Sequence, residues 1–207
     1  MNKKKSSRLS AEERKLQILK AAQVLCSRKG FAGTTLDDIA KKAGVSRALV
    51  VQYFKNKEKL YEALIDFLFK THPLEKDPDI KKCIEKRDDF GVFKNYFQHI
   101  FKYMSKDKEH SPLRLLLFSI LEKPSLYKRH YNYRRLKGLT ILENYIQIRT
   151  KEGKFKNINP KYVAISFTTM IMSLILQQIT LSIFETEKDF INCMDTMIKI
   201  LLDGLKK

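Results

Sequence analysis

An all-α fold of two domains is predicted by three observations on this sequence of 207 residues. Apolar residues recur at intervals of three and four along the chain, which is the spacing of one helix face. The 5 Pro residues all fall at predicted helix starts or breaks, and no segment alternates as a half-buried strand does. A break with two prolines at residues 71–79 separates a predicted domain 1–73 from a helical domain 74–207.

Residues 34–60 predict two short helices joined by a tight turn and followed by the start of a third. Ala40 is small where the two helices cross, Gly44 permits the positive φ of the turn, and Val50 packs the second helix onto the first. This pattern is typical of a helix-turn-helix, whose second helix can enter the major groove of DNA. The remaining buried contacts are expected from Ile39, Val45 and Phe54.

Caps and apolar stripes define the first four helices. Helix 1 begins near Ser10, with acids in its first turn where the helix dipole favours them, and ends at Gly30. Thr35 caps helix 2, and Asp38 three residues later completes a capping-box arrangement. Helix 4 begins near the cap Asn56 and continues to the break at 71. Helices 2 and 3 are predicted over 36–43 and 46–54.

The second domain is expected to hold five further helices. Ser111 and Asn159 each precede a proline, so each is an N-cap followed by Pro at the first helical position. Thr186 caps the last helix. Residues 80–89 are charged, and the sequence leaves their structure open. The five helices are predicted over 90–105, 112–123, 126–151, 160–184 and 187–205.

Composition favours a polyanionic partner and a reducing compartment. The net charge is +18; residues 1–73 hold 16 Lys/Arg and 7 Asp/Glu, so they are more densely basic than the rest. Attraction between such charge and phosphates supplies most nonspecific DNA binding. A generally Lys-rich proteome is an alternative cause of the positive charge. Cys26, Cys83 and Cys193 are odd in number and far apart, which indicates buried thiols in the cytoplasm rather than disulfides. No signal peptide is expected.

Residues 162–184 carry no charge, and 23 such residues are enough to span a bilayer. Such a helix can equally be buried between partners. Gln177 and Gln178 lie within it, and we therefore expect a core or dimer helix and no membrane.

We find no motif of a catalytic site, a phosphate-binding loop or a metal site, so we expect no enzyme and no cofactor or metal. The four histidines show no metal-ligand spacing with cysteines or acids.

Five collinear blocks resemble the N-terminal domain of the tetracycline-repressor (TetR) family of bacterial transcription regulators. The resemblance implies a cytoplasmic homodimer that binds a near-palindromic DNA operator, usually represses, and is released by a small molecule. An alternative is an architectural or adaptor protein whose C-terminal helices bind a protein partner on DNA. The blocks are Ile18–Ala22, Lys29–Phe31, Thr34–Ala40, Ala43–Arg47 and Tyr53–Leu60.

The base-reading candidates lie on helix 3, which begins at Ser46. The fork of Arg47 matches the O6 and N7 acceptors of guanine, and the small Ala48 fits a thymine methyl group. Gln52 can pair with adenine or hold a phosphate. Val51 departs from the family pattern, because many relatives carry there a Tyr that hydrogen-bonds a phosphate.

Phosphate contacts are implied by the resemblance at three positions, Thr35, Tyr53 and Lys57. The alternative for Thr35 is capping alone, and for Lys57 a solvated surface lysine. A basic arm can also lie on DNA or remain a solvated tail. Its cations are Lys3, Lys4, Lys5 and Arg8.

Aromatic and flexible side chains of the second domain could line a cavity for a neutral or anionic apolar ligand, with core packing as the alternative. The candidates are Phe97, Phe101, Phe118, Tyr145, Phe167 and Met170. The resemblance also places the last two helices in a four-helix dimer interface. The dimer candidates are Ile171, Leu174, Ile175, Met197, Ile198, Leu201 and Leu202.

Overall fold

The all-α prediction is confirmed by a computed structural model, which describes residues 9–71, 74–105 and 112–207. Within these ranges the chain forms ten α-helices and a short 3-10 helix at Leu74–Lys76. The helices are α1 Ala11–Lys29, α2 Leu36–Ala43, α3 Arg47–Phe54, α4 Lys57–Thr71, α5 Pro78–Lys86, α6 Asp89–Met104, α7 Pro112–Glu122, α8 Pro124–Lys151, α9 Pro160–Leu181 and α10 Glu187–Leu205.

Two compact units make up the chain. The first is Met1–Leu68 with Glu109–Tyr127, and the second is Phe69–Lys108 with Lys128–Lys207. Helix α7, which the prediction placed in the C-terminal domain, therefore belongs with α1 to α3 in the first unit. The predicted domains 1–73 and 74–207 stay a prediction, because a division by contacts is not a division by function.

The first unit is built on well-capped helices around one core. Ser10 Oγ accepts the Glu13 N–H at 3.3 Å, and the Glu13 carboxylate accepts the Ser10 N–H at 2.8 Å, which completes a capping box. Gly30 ends α1 at φ 71°, as predicted. The core includes Ile18 and Cys26, and burial raises the pKa of the Cys26 thiol to about 11. That shift keeps the thiol protonated, as expected of a core residue.

Helix α7 is held in the first unit by satisfied polar contacts. Arg114 Nε donates to the Ser27 carbonyl at 3.0 Å. The Tyr61 hydroxyl lies 2.8 Å from Ser119 Oγ, which itself donates to the Leu115 carbonyl at 2.7 Å. Both hydroxyl groups are buried, so these bonds avoid the cost of unpaired polar groups.

Aromatic rings fill the core of the second unit. Phe93 and Phe167 meet edge to face with their ring centroids 4.9 Å apart. The ring of Phe190, on α10, packs against Phe97 and Phe101 of α6 at 5.7 and 4.6 Å. Rings at such distances contribute more than their buried area alone.

An ion-pair network joins α6 to the end of α8 within the second unit. Arg149 donates to both oxygens of Asp89, at 2.7 and 3.1 Å, and also to Glu152 at 2.6 Å. The Tyr145 hydroxyl donates to Asp89 at 2.6 Å. Because Arg149 and Asp89 are mostly buried, their geometry has to compensate for lost hydration.

Several predicted boundaries are wrong by a few residues. Pro78 was expected to break the chain, but it is the first residue of α5, behind the N-cap Asp77. Helix α8 begins at Pro124 rather than at residue 126, because proline suits the first position of a helix. Helix α9 ends at Leu181 and not 184, because Ser182 turns to φ 51°. The caps Asn159 and Thr186 are confirmed. The N-terminal arm and Ser111 lie outside the described residues.

Candidate nucleic-acid interface

The turn between α2 and α3 fixes how the two helices cross. Gly44 has φ 65° and ψ 37°, and its N–H points to the carbonyls of Ala40 and Lys41. The Val45 N–H donates to Ala40 at 3.0 Å. Ala40 and Val50 are buried at the crossing, as predicted. A side chain at position 44 would be strained in this left-handed conformation, so glycine suits the turn.

Helix α3 has a buried face and an exposed one. Val50 and Phe54 point into the core. Arg47, Ala48, Val51 and Gln52 are exposed, and we call these four residues the outward face of α3. They include three of the residues predicted to read bases.

The N-terminus of α3 is capped by Ser46, whose Oγ accepts the Leu49 N–H at 3.2 Å. Ser46 therefore positions the outward face while remaining exposed itself. Tyr53 is half-buried beside Phe54, with the ring centroids 6.4 Å apart. A capped first turn holds the side chains predicted to read bases in one orientation.

Arg47 lies next to an acidic partner on α2 that no local sequence pattern indicates. Its Nε is 3.6 Å from Asp37 Oδ2, and the two side chains are 63% and 69% exposed. An exposed pair of this kind contributes only about 0–1 kcal/mol. The guanidinium can therefore exchange Asp37 for a base edge at little cost.

Thr35 caps α2, which confirms the predicted capping box. Its Oγ1 accepts the Asp38 N–H at 3.1 Å and donates to Asp38 Oδ2 at 2.8 Å. The hydrogen bonds from Thr35 lower the pKa of Asp38. Since the hydroxyl proton is already used, a phosphate contact by Thr35 requires the hydroxyl to turn, and that role stays a prediction.

Lys57 is not a freely solvated surface lysine. It is the first residue of α4, behind the cap Asn56, whose Oδ1 accepts the Lys59 N–H at 2.8 Å. Its Nζ lies 4.3 Å from the centroid of the Phe31 ring and 3.4 Å from the Ala32 carbonyl oxygen. These contacts hold the ammonium beside a helix N-terminus, where backbone N–H groups favour an anion.

The end of α7 reaches the same loop, which the local sequence could not reveal. Glu122 Oε2 accepts the Ala32 N–H at 2.8 Å. Lys123 Nζ lies 4.5 Å from the centroid of the Phe31 ring, so two lysines contact that ring. A contact across 90 positions has no periodic signal in sequence.

The six positions predicted to line a ligand cavity are divided between the two units. A ligand among the buried ones would have to displace core rings, and their role stays a prediction. Phe97, Tyr145 and Phe167 are buried in the second unit, Phe101 is half-buried there, Phe118 belongs to the first unit, and Met170 is exposed.

A polar cleft of about 490 Å³ lies in the second unit, at residues that were not among the predicted ligand positions. In it His99 Nδ1 and Asp77 Oδ2 are 2.6 Å apart. Burial raises the pKa of Asp77, but the hydrogen bonds from His99 and from the α5 backbone outweigh it and lower that pKa overall. The lining residues are Asp77, Asp79, Asn95, Gln98, His99, Lys102 and Tyr103.

The predicted dimer residues divide into two groups. Three are half-buried, so a partner could still reach them: Leu174, Met197 and Leu201. The other four fill the core of the second unit: Ile171, Ile175, Ile198 and Leu202.

Other apolar side chains on α9 and α10 are more exposed, including Tyr162, Leu181 and Ile200 at 65%, 69% and 68%. Helix α9 is long and apolar enough to cross a membrane by length and composition, with a mean hydropathy of 1.5. Its buried stripe nevertheless packs on α6 and α10. Its exposed face, rather than its core residues, is therefore the surface left for a partner.

A left-handed glycine turn, two crossing helices and an exposed, capped second helix define a helix-turn-helix DNA-binding domain. Residues 18–64 match the family model described as bacterial regulatory proteins, tetR family. The match covers about a quarter of the chain, and over these residues the chain is similar to this family.

Two curated relatives are similar over the N-terminal part. The HTH-type transcriptional regulator TtgR of Pseudomonas putida is 45% identical over 62 residues, which are 30% of each protein. The biofilm operon icaADBC HTH-type negative transcriptional regulator IcaR of Staphylococcus epidermidis is 29% identical over 116 residues, 56% of this chain and 59% of that one. The chain thus covers less than two thirds of either relative.

The fold is similar over nearly the whole length to solved structures. A TetR transcription regulator from Haloarcula marismortui superposes with a TM-score of 0.69 at 18% identity. The alignment covers 95% of this chain and 100% of that one. At this identity the likeness concerns the fold alone.

Proposed function

We propose that this protein is a sequence-specific, DNA-binding transcriptional regulator that acts as a homodimer and represses. The observation that carries the proposal is the outward face of α3, exposed on a capped helix whose other face is fixed by Val50 and Phe54. A short helix held in this way can enter the major groove with its side chains already oriented.

Phosphate contacts would hold the domain on both sides of the groove. Thr35 caps α2 and Lys57 begins α4, so each lies where free backbone N–H groups attract an anion. The net charge of +9 over residues 1–73 strengthens this attraction. Binding should therefore weaken as salt rises, because each neutralised phosphate releases a counterion.

Two copies of α3 would contact successive major grooves, about 34–36 Å apart, on a near-palindromic operator. The exposed face of α9, with Tyr162 and Leu181, continues without charge from residue 162 to its end. Ser166, Thr169, Ser173 and Gln177 make this face polar but uncharged, and Ile200 on α10 adds exposed hydrocarbon. An uncharged surface can pack against a second copy of a basic protein without burying an unpaired charge.

The family resemblance supports release from DNA by a small apolar ligand, and the physical mechanism of that release would be a population shift. A ligand that binds better to a dimer with its two α3 helices wrongly spaced lowers DNA affinity by that difference in affinity. An adaptor that binds a protein partner through its C-terminal helices remains the alternative. The polar cleft in the second unit does not by itself favour a small ligand over a protein partner. A protein that co-purifies with this chain would favour the adaptor.

Fluorescence anisotropy of the full-length protein tests the proposal. The probes are the DNA immediately upstream of its own gene and random DNA of equal length, each titrated over a range of salt. Tight binding to the upstream probe, well above random DNA, is the expected result. Equal binding to both, with steep salt dependence, would leave charge as the only source of affinity and contradict the proposal for that site.

A further inference from the structure

The outward face of α3 presents hydrocarbon as well as polar side chains. Val51 is 38% exposed, whereas its neighbour Val50 is completely buried. Ala48, one turn earlier, is exposed as well. Side chains three apart lie side by side on a helix, so Ala48 and Val51 form one apolar strip.

We propose that Val51, together with Ala48, packs against the 5-methyl group of a thymine in each half-site. The protein would then recognise that base pair by a methyl contact rather than by a hydrogen bond. This inference rests on the proposed function and specifies the chemical class of the half-site.

The chemistry of the major groove supports this assignment. Of the four bases, only thymine places a methyl group there, while the others present hydrogen-bond donors and acceptors. A valine side chain that covers a polar base edge removes water from it without replacing the lost hydrogen bond, which is unfavourable. The same valine on a thymine buries methyl groups on both sides.

The stiffness of the side chain also suits a reading role. Valine in a helix has one strongly preferred χ1 rotamer, so little conformational freedom is lost on contact. The strip is flanked on the same face by Arg47, whose fork matches guanine, and by Gln52, which matches adenine. Val51 therefore lies among side chains that each have a matching base.

A selection experiment with the full-length protein tests this inference. Duplexes with a random core of about 20 base pairs, enough for two half-sites, are selected for binding. The enriched duplex is then synthesised with deoxyuridine in place of one thymidine at a time, which removes only the methyl group. Affinities are compared for the wild type, Val51→Ala and Val51→Thr.

At one thymine in each half-site, deoxyuridine should weaken wild-type binding about fourfold, the effect of one buried methyl-sized group. The same replacement should weaken binding by Val51→Ala less than about twofold, because the thymine methyl group has lost its partner side chain. Val51→Thr keeps the shape of the side chain but exposes a hydroxyl group. Deoxyuridine should therefore weaken its binding as little as it weakens that of Val51→Ala. Lys57→Ala is the matched control, since it should bind both duplexes more weakly while keeping the wild-type ratio.

Each other outcome overturns the inference in a distinguishable way. If no thymine is sensitive in an enriched duplex, methyl reading is wrong while sequence-specific binding stands. If the deoxyuridine penalty persists unchanged in both Val51 variants, another residue reads the methyl group. If no sequence is enriched at all, the inference and the proposed function fail together.

Discussion

The Glu122 carboxylate accepts a hydrogen bond from the backbone N–H of Ala32 at 2.8 Å, which joins the end of α7 to the loop between α1 and α2. The carbonyl of the same Ala32 lies 3.4 Å from Lys57 Nζ, at the start of α4. One loop residue therefore contacts both helices, and a displacement of α7 would be transmitted to the lysine proposed to hold a phosphate.

Replacing Glu122 should weaken DNA binding although it lies outside the helix-turn-helix. We expect Glu122→Ala to cost about 1 kcal/mol, roughly a fivefold loss of affinity, through the lost hydrogen bond. Glu122→Gln should retain most of the affinity, because its amide oxygen still accepts the Ala32 N–H. Anisotropy on the selected duplex measures both, with the exposed Glu85→Ala as control. Equal losses in the Gln and Ala variants would mean that charge, and not the hydrogen bond, is responsible.

Lys57→Ala should weaken binding to every DNA sequence and reduce the slope of log affinity against log salt by about one unit. Lys123→Ala is the control, since its ammonium contacts the same Phe31 ring but lies outside α2, α3 and α4, the helices proposed to contact DNA. We expect Lys123→Ala to leave the slope closer to that of the wild type. A slope unaffected by Lys57→Ala would show that this lysine does not neutralise a phosphate.

The exposed face of α10 should be required for dimerisation. Ile200→Asp places a charge on an exposed position and should yield a folded monomer, detected by analytical ultracentrifugation together with circular dichroism. Ile198→Asp buries the same charge in the core and should unfold the second unit instead. A dimer that survives Ile200→Asp would place the interface elsewhere.

Asp89 should be one of the most sensitive polar positions for stability. Asp89→Ala leaves Arg149 and the Tyr145 hydroxyl without their shared acceptor and should cost about 3–5 kcal/mol. Urea unfolding of this variant measures the loss, with the exposed Asp203→Ala as the control. A loss below about 1 kcal/mol would mean that the pair contributes no more than a surface ion pair.

Asp77 should make stability depend on acid pH. Its carboxyl has a pKa below the ordinary value of 3.8, because the donors around it outweigh the effect of burial. The unfolded chain therefore binds the proton more readily, and the stabilisation is complete above 3.8 and lost as pH falls through the lower folded pKa. Urea unfolding of wild type and Asp77→Asn should show a difference near pH 6 that narrows towards about pH 3. A difference that does not change with pH would exclude this carboxyl as the cause.

Local signals in the sequence were sufficient for much of the fold. Gly44, the Thr35 capping box and the Asn159 cap each depend on atoms a few residues apart, so residue type alone predicts them. Pro78 shows the limit, since a proline can break a chain or begin a helix, and the distinction depends on packing. Periodicity identified α9 and α10 but not which apolar residues face inward, which is why several dimer candidates are core residues.

The site was predictable where it is local and not where it is distant. Arg47, Ala48 and Gln52 lie on the exposed face, as helical spacing from the buried Val50 requires. The partner Asp37 and the Glu122 contact arise only when separate helices meet. The ligand candidates depended on resemblance and composition, which do not specify where a cavity opens.

The side chains proposed to contact the bases and those proposed to contact the DNA backbone belong to different helices. The outward face of α3 supplies the first group, whereas Thr35 caps α2 and Lys57 begins α4. The four side chains of the outward face could therefore be exchanged for those of a similar regulator. The proposed backbone contacts and the core around Val50 and Phe54 would not change. The domain is in this sense reprogrammable: grafted outward faces would give a set of orthogonal regulators that share one scaffold and ignore each other's operators.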